Sequence, residues 1–139
     1  MKAKPERDYS GRSLFEKLGV SAETHVALVG RHDEAFTAAL NARLAKAASQ
    51  SLRTKYDVIF VRVDSARDLA RLAQAAEHLH PNGALWAFHP KGRGATPTDG
   101  EVRAAGIAAG LVDNKISAYT ESHTATRFVI PVAKRRSRP

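Results

Sequence analysis

The chain of 139 residues has no cysteine. Disulfides, thiolate metal sites and cysteine nucleophiles are therefore excluded, as fits a reducing compartment. Long hydrophobic runs are also missing. The longest, Val58–Val61 and Ala84–Phe88, are of strand length, far below the roughly 20 apolar residues that span a bilayer. The first thirteen residues, MKAKPERDYSGRS, carry basic groups with no apolar stretch behind them. No secretory leader and no membrane anchor are expected from that pattern. A bacterial-type cytosolic protein is the reading that follows. Aromatics are only 6% of the chain, with a single Trp, and Trp86 falls inside an apolar run, where it reads as core.

What is present suffices for one domain. Apolar residues make up 43% of the sequence, enough to bury a core at this length. The net charge of +8 is unevenly placed. Residues 1–12 hold Lys2, Lys4, Arg7 and Arg12 against Glu6 and Asp8. Residues 134–139 hold Lys134, Arg135, Arg136 and Arg138 with no acid, which leaves residues 13–133 near neutral. The expected organisation is a flexible basic leader (1–12), one α/β domain (13–133) and a basic tail (134–139). Such ends solubilise a protein. They also attract nucleic acid without regard to sequence, so Lys134, Arg135, Arg136 and Arg138 are candidates for a weak nucleic-acid contact.

The middle of the chain alternates strand and helix signals. Ser13 and Glu16 have capping-box spacing, and Gly19 stops that short helix. Residues 25–30 read as a buried strand ending in glycine. Asp33 is placed to cap a helix whose apolar face is Phe36, Ala39, Leu40, Leu44 and Ala47. Residues 56–63 form a near-continuous apolar run, as in a central parallel strand. Ser65 and Asp68 open the next helix, with Leu69, Leu72, Ala73, Ala76 and Leu79 inward. Pro81-Asn82-Gly83 reads as a turn into a strand over 84–89. Thr98 and Glu101 form a capping box ahead of Val102, Ala105, Gly106 and Ala109. Residues 112–120 and 124–132 predict an antiparallel hairpin, with Pro131 ending its second strand near Ile130. The order β-α-β-α-β-α-β-β predicts about five strands, three parallel plus a C-terminal antiparallel pair, with helices on both faces.

Ligands in open α/β sheets bind beyond the carboxyl ends of the strands. Those ends carry Gly30, Arg31 and His32, then Asp64, then His89 and Lys91. These six are the candidate ligand-binding residues. Each also has a plain structural role, since strand ends are polar in any soluble fold. The turn after the first strand, Gly30-Arg31-His32-Asp33-Glu34, has one glycine where dinucleotide and adenosyl cofactors need several. Asp33, Glu34 and Glu101 put negative charge at the helix starts an anion would use. The Gly-Arg-Gly after Lys91 lacks P-loop spacing, and no Gly-x-Ser-x-Gly elbow occurs. His78 and His80, two apart, do not share a helical face, and neither a metal nor a cofactor is expected.

Several stretches together resemble an uncharacterised bacterial family, domain of unknown function 3052, whose members are small methyltransferase-like α/β proteins. They are Leu18-Gly19-Val20, Val26–Gly30, Tyr56–Phe60, Pro81–Trp86 followed by Pro90-Lys91, Ala108–Asp113 with Lys115, Thr120-Glu121, and Arg127-Phe128-Val129. The resemblance covers about residues 14–133. It implies a compact Rossmann-like fold, a truncated class I methyltransferase core without its second and third strands. Where that family carries a Trp before the closing strand, this chain has Ser122-His123-Thr124.

Three functions are compatible with these residues. The first is a non-catalytic binding or regulatory module that takes an anionic ligand or a protein partner at the strand-end rim. The second is a small transferase for an adenosyl or nucleotide-type ligand, with Asp64 or His32 as base and Lys91 or Arg31 holding an anionic group. The third is nucleic-acid association through the basic ends.

Overall fold

The computed structural model describes residues 13–136. The basic leader and Arg138 lie outside the described residues, as do the side chains of Ser13 and Arg136. The element order is α1 (Ser13–Lys17), β1 (Val26–Val29), α2 (Glu34–Arg43), β2 (Tyr56–Arg62), a 3₁₀ turn (Ala66–Leu69), α3 (Ala70–Ala76), β3 (Leu79–Pro90), α4 (Asp99–Ala108), β4 (Val112–Ala118), β5 (His123–Val129) and α5 (Val132–Arg136).

One five-stranded sheet has the order β1-β2-β3-β5-β4. β1, β2 and β3 are parallel, and β5 is antiparallel to both β3 and β4. β4 therefore runs with the first three strands, and the hairpin turns back to insert β5 between β3 and β4. The fold is a truncated Rossmann-like α/β sheet with helices on both faces.

Strand alternation sorts the core into two layers. Val58, Phe60, Ala84, Trp86 and Phe88 face Leu14, Phe15 and Leu18 of the α1 region and Phe36 and Leu40 of α2. Ile59, Val61, Leu85 and Ala87 face Leu72 and Ala75 of α3 and Val102 of α4. Both faces of β2 and β3 are covered at their centres, so Val58–Val61 and Ala84–Phe88 read as unbroken apolar runs. The Trp86 indole N–H donates to the Leu18 carbonyl (3.1 Å), which fastens α1 to the sheet.

Local details differ from the sequence reading in instructive ways. Pro81-Asn82-Gly83 is not a separate turn but part of β3, in an irregular stretch where residues 80–83 face Asp57 alone. Gly83 permits this, because a Cβ there would lie 2.6 Å from the Asp57 carbonyl oxygen. α2 stops at Arg43, short of Ala47, and Ala48 N–H donates to Asn41 Oδ1 (2.9 Å). Ser49 then makes a single parallel bridge to Ala27 at the outer edge of β1. The capping box at Thr98 and Glu101 is present in full. Asp33 and Ser65 stand at helix starts but make no side-chain cap bond.

Candidate functional site

The carboxyl ends of β1, β2 and β3 lie at one end of the sheet, together with the β4–β5 turn. His32 Nε2 lies 3.1 Å from the Val29 carbonyl oxygen and 3.0 Å from that of Phe60. Two acceptors require that this nitrogen carry the proton, so Nδ1 holds the lone pair. Nδ1 is buried and has no hydrogen-bond partner among the described residues. The ring sits edge-on to Phe88, with centroids 5.6 Å apart. Burial pushes the His32 pKa down to about 4, so the ring is neutral at pH 7.

Asp33 has left its capping role for a polar network. Tyr119 Oη donates to its Oδ2 (2.7 Å), and Arg62 Nη1 lies 3.5 Å from its Oδ1. That guanidinium nitrogen is buried and makes an ion-pair contact without hydrogen-bond geometry. Arg62 Nε donates to Asp64 Oδ2 (2.9 Å), and Asp64 Oδ1 lies 2.6 Å from His123 Nε2. The short carboxylate contact places an imidazole proton on Nε2, and Ser122 Oγ lies 2.8 Å from Nδ1. Arg62 Nη2, 3.2 Å from His123 Nε2, faces a nitrogen that already carries a proton. Partial burial raises the Asp64 pKa, but the His123 hydrogen bond and the Arg62 charge outweigh it and leave the carboxyl below its ordinary value. The network joins the start of α2, the end of β2 and the β4–β5 turn.

The six candidate residues divide. Gly30, Arg31 and His32 line a cleft of about 350 Å³ beside β1, with Leu28, Thr37 and Gln50. Asp64 belongs to the network instead. His89 is fully buried on the α4 side of the sheet, where Nε2 meets Thr126 Oγ1 (2.8 Å) and Nδ1 lies 3.6 Å from Asp99. Burial lowers its pKa. Lys91 is exposed, and its backbone N–H donates to the Ser122 carbonyl (3.1 Å). Sequence reasoning passed over Arg62, Tyr119, Ser122 and His123. Arg62 had a usable signal: it is the one charged residue between Val58 and Val63. The others come from a hairpin distant in sequence.

Gly30 decides how this turn compares with a cofactor loop. Its φ is +89°, which a residue with a side chain adopts only with strain. A Cβ there would meet Arg71 Nη1 at 2.8 Å, Arg62 Cβ at 3.1 Å and the Arg62 carbonyl oxygen at 3.2 Å. In the direction a side chain would take, Gly30 is backed by Arg62 and Arg71, while the residue also lines the cleft beside β1.

Solved methyltransferases share the fold. The CcbJ methyltransferase from Streptomyces caelestis matches at 10% identity over 86% of this chain and 88% of that one, with a TM-score of 0.56. A TehB-like SAM-dependent methyltransferase from Corynebacterium glutamicum matches at 12% identity over 86% of each chain, with a TM-score of 0.55. Magnesium protoporphyrin IX methyltransferase from Synechocystis PCC 6803 with bound SAM matches at 11% identity over 86% of this chain and 77% of that one, with a TM-score of 0.59. At these identities the likeness establishes the fold alone. The chain matches no family model and no curated protein.

An adenosyl cofactor does not fit the residues at the β1 turn. Gly30 is the single glycine there, and its Cβ direction is taken by Arg62 and Arg71. The position next to β1, from which an acidic strand end would hold a ribose, is taken by the single Ser49 bridge.

Proposed function

We propose that this domain is a non-catalytic binding module, built on a methyltransferase-like fold, that takes an anionic ligand or an acidic partner surface at the strand-end rim. The observation that carries this reading is the Gly30 turn. In a cofactor loop, glycine lets a ligand approach the backbone. Here it lets β1 pack against Arg62 and Arg71.

Among the six candidate residues, the cations left for a ligand are Arg31, on the wall of the cleft beside β1, and Lys91 after β3. Both are exposed, and neither makes an ion pair among the described residues. Arg62 is already held by Asp33 and Asp64. Ser122, His123 and Asp64 have the donor order of a nucleophile relay, but Ser122 is exposed. An open position lacks the desolvated donors that stabilise an oxyanion. Membership in domain of unknown function 3052 is part of the same proposal.

The test is thermal unfolding with inorganic phosphate as the probe. A ligand bound to the native state raises the melting temperature. Phosphate is expected to raise it, and Arg31→Ala and Lys91→Ala are expected to reduce that rise. An equal rise in both variants would overturn the assignment of the rim. Turnover of S-adenosylmethionine that vanishes in Lys91→Ala would overturn the non-catalytic reading.

A further inference from the structure

A second cleft, of about 310 Å³, opens at the other end of the sheet, where β1 to β3 begin. Its walls include Ser21, Glu23, Thr24, Asp57, Asn82 and Arg127. Thr24 comes just before β1, Asp57 is the second residue of β2, and Asn82 sits in the irregular stretch of β3. Such bulges re-aim side chains out of a regular ladder. The close approach of Gly83 to Asp57 holds this one in place.

Charges of both signs line this cleft without pairing. Arg127 Nη1 donates to Asn114 Oδ1 (3.2 Å), and Arg127 makes no ion pair among the described residues. Asp57 Oδ2 accepts from the His25 N–H (2.8 Å) and likewise has no ion pair. Glu23 makes neither a hydrogen bond nor an ion pair among the described residues. One cation and two carboxylates thus share a cleft, yet none of them reaches a partner of opposite sign.

We propose that this cleft binds a small zwitterion of the α-amino acid class. The ligand carboxylate pairs with Arg127, and the ammonium group sits at Asp57 and Glu23. A bare anion would leave the two acids facing it, and a bare cation would face Arg127. A ligand with both charges a few bonds apart satisfies both walls. The volume lies at the small end of the range for ligand sites. The site is at the opposite end of the sheet from the rim and does not depend on the function proposed there.

The experiment is a ¹H–¹⁵N NMR titration of the full chain with L-alanine, acetate and methylammonium as separate probes. Alanine is expected to shift the amides of Thr24, Asp57, Asn82 and Arg127 saturably. Acetate and methylammonium are expected to bind on the order of tenfold more weakly, about 1.4 kcal/mol. Arg127→Gln and Asp57→Asn should each weaken alanine by a similar factor. Glu23→Gln, at an exposed position, should weaken it without disturbing the fold. The proposal is overturned if alanine gives no saturable shift at these amides. It is also overturned if acetate or methylammonium binds as well as alanine, or if Glu23→Gln binds alanine like the parent.

Discussion

His123 Nε2 lies 2.6 Å from Asp64 Oδ1, and this contact ties the β4–β5 turn to the end of β2 across 59 residues of sequence. Both groups also touch Arg62, which in turn reaches Asp33 at the start of α2. The carboxyl is about half exposed, so the contact is expected to be worth well under a buried ion pair. A double-mutant cycle with Asp64→Asn and His123→Gln should give a coupling of about 0.5–1 kcal/mol that shrinks in molar salt. Additivity of the two variants would remove the network as a unit.

His32 makes stability depend on pH. Its folded pKa of about 4 lies below the ordinary histidine value of 6.5. The unfolded chain therefore binds a proton that the folded chain refuses. This contribution is complete above about pH 6.5 and is lost as pH falls towards 4. It amounts to about 3 kcal/mol at most. His89, also lowered by burial, acts in the same direction. Urea unfolding at pH 7, 5.5 and 4.5 should show the decline, and His32→Phe should flatten it. An unchanged decline in the variant would place its origin elsewhere.

Gly106 brings α4 against the sheet. A Cβ at this position would run into the Phe128 ring. Gly106→Ala is expected to cost about 1–3 kcal/mol through overpacking. Gly100→Ala, in the first turn of the same helix, meets nothing closer than Thr98 Oγ1 at 3.9 Å. It should be neutral, or stabilising by up to about 1 kcal/mol. Equal urea midpoints for the two variants would contradict the packing argument.

Much of the fold was legible in the sequence because β2 and β3 are apolar on both faces and α4 carries its capping box in adjacent residues. Local signals failed where a distant partner competed for the same group. Asp33 has the right position for a cap, but Tyr119, 86 residues away, takes its carboxylate. Pro81-Asn82-Gly83 has turn composition, yet the pairing of Leu79 and Ala84 with β2 on either side keeps it within the strand as a bulge. The rim was legible as a place and not as a constellation. Strand alternation sends Phe88 to one face and His89 to the other, so His89 and His32 lie on opposite sides of the sheet.

The central claim is that the turn after β1, with a single glycine backed by Arg62 and Arg71, does not hold an adenosyl cofactor. Isothermal titration calorimetry with S-adenosylmethionine tests it most directly. No saturable heat is expected from the parent chain. Saturable one-to-one binding that is lost in a Gly30→Ala variant would contradict the claim, because it would place the cofactor at this turn.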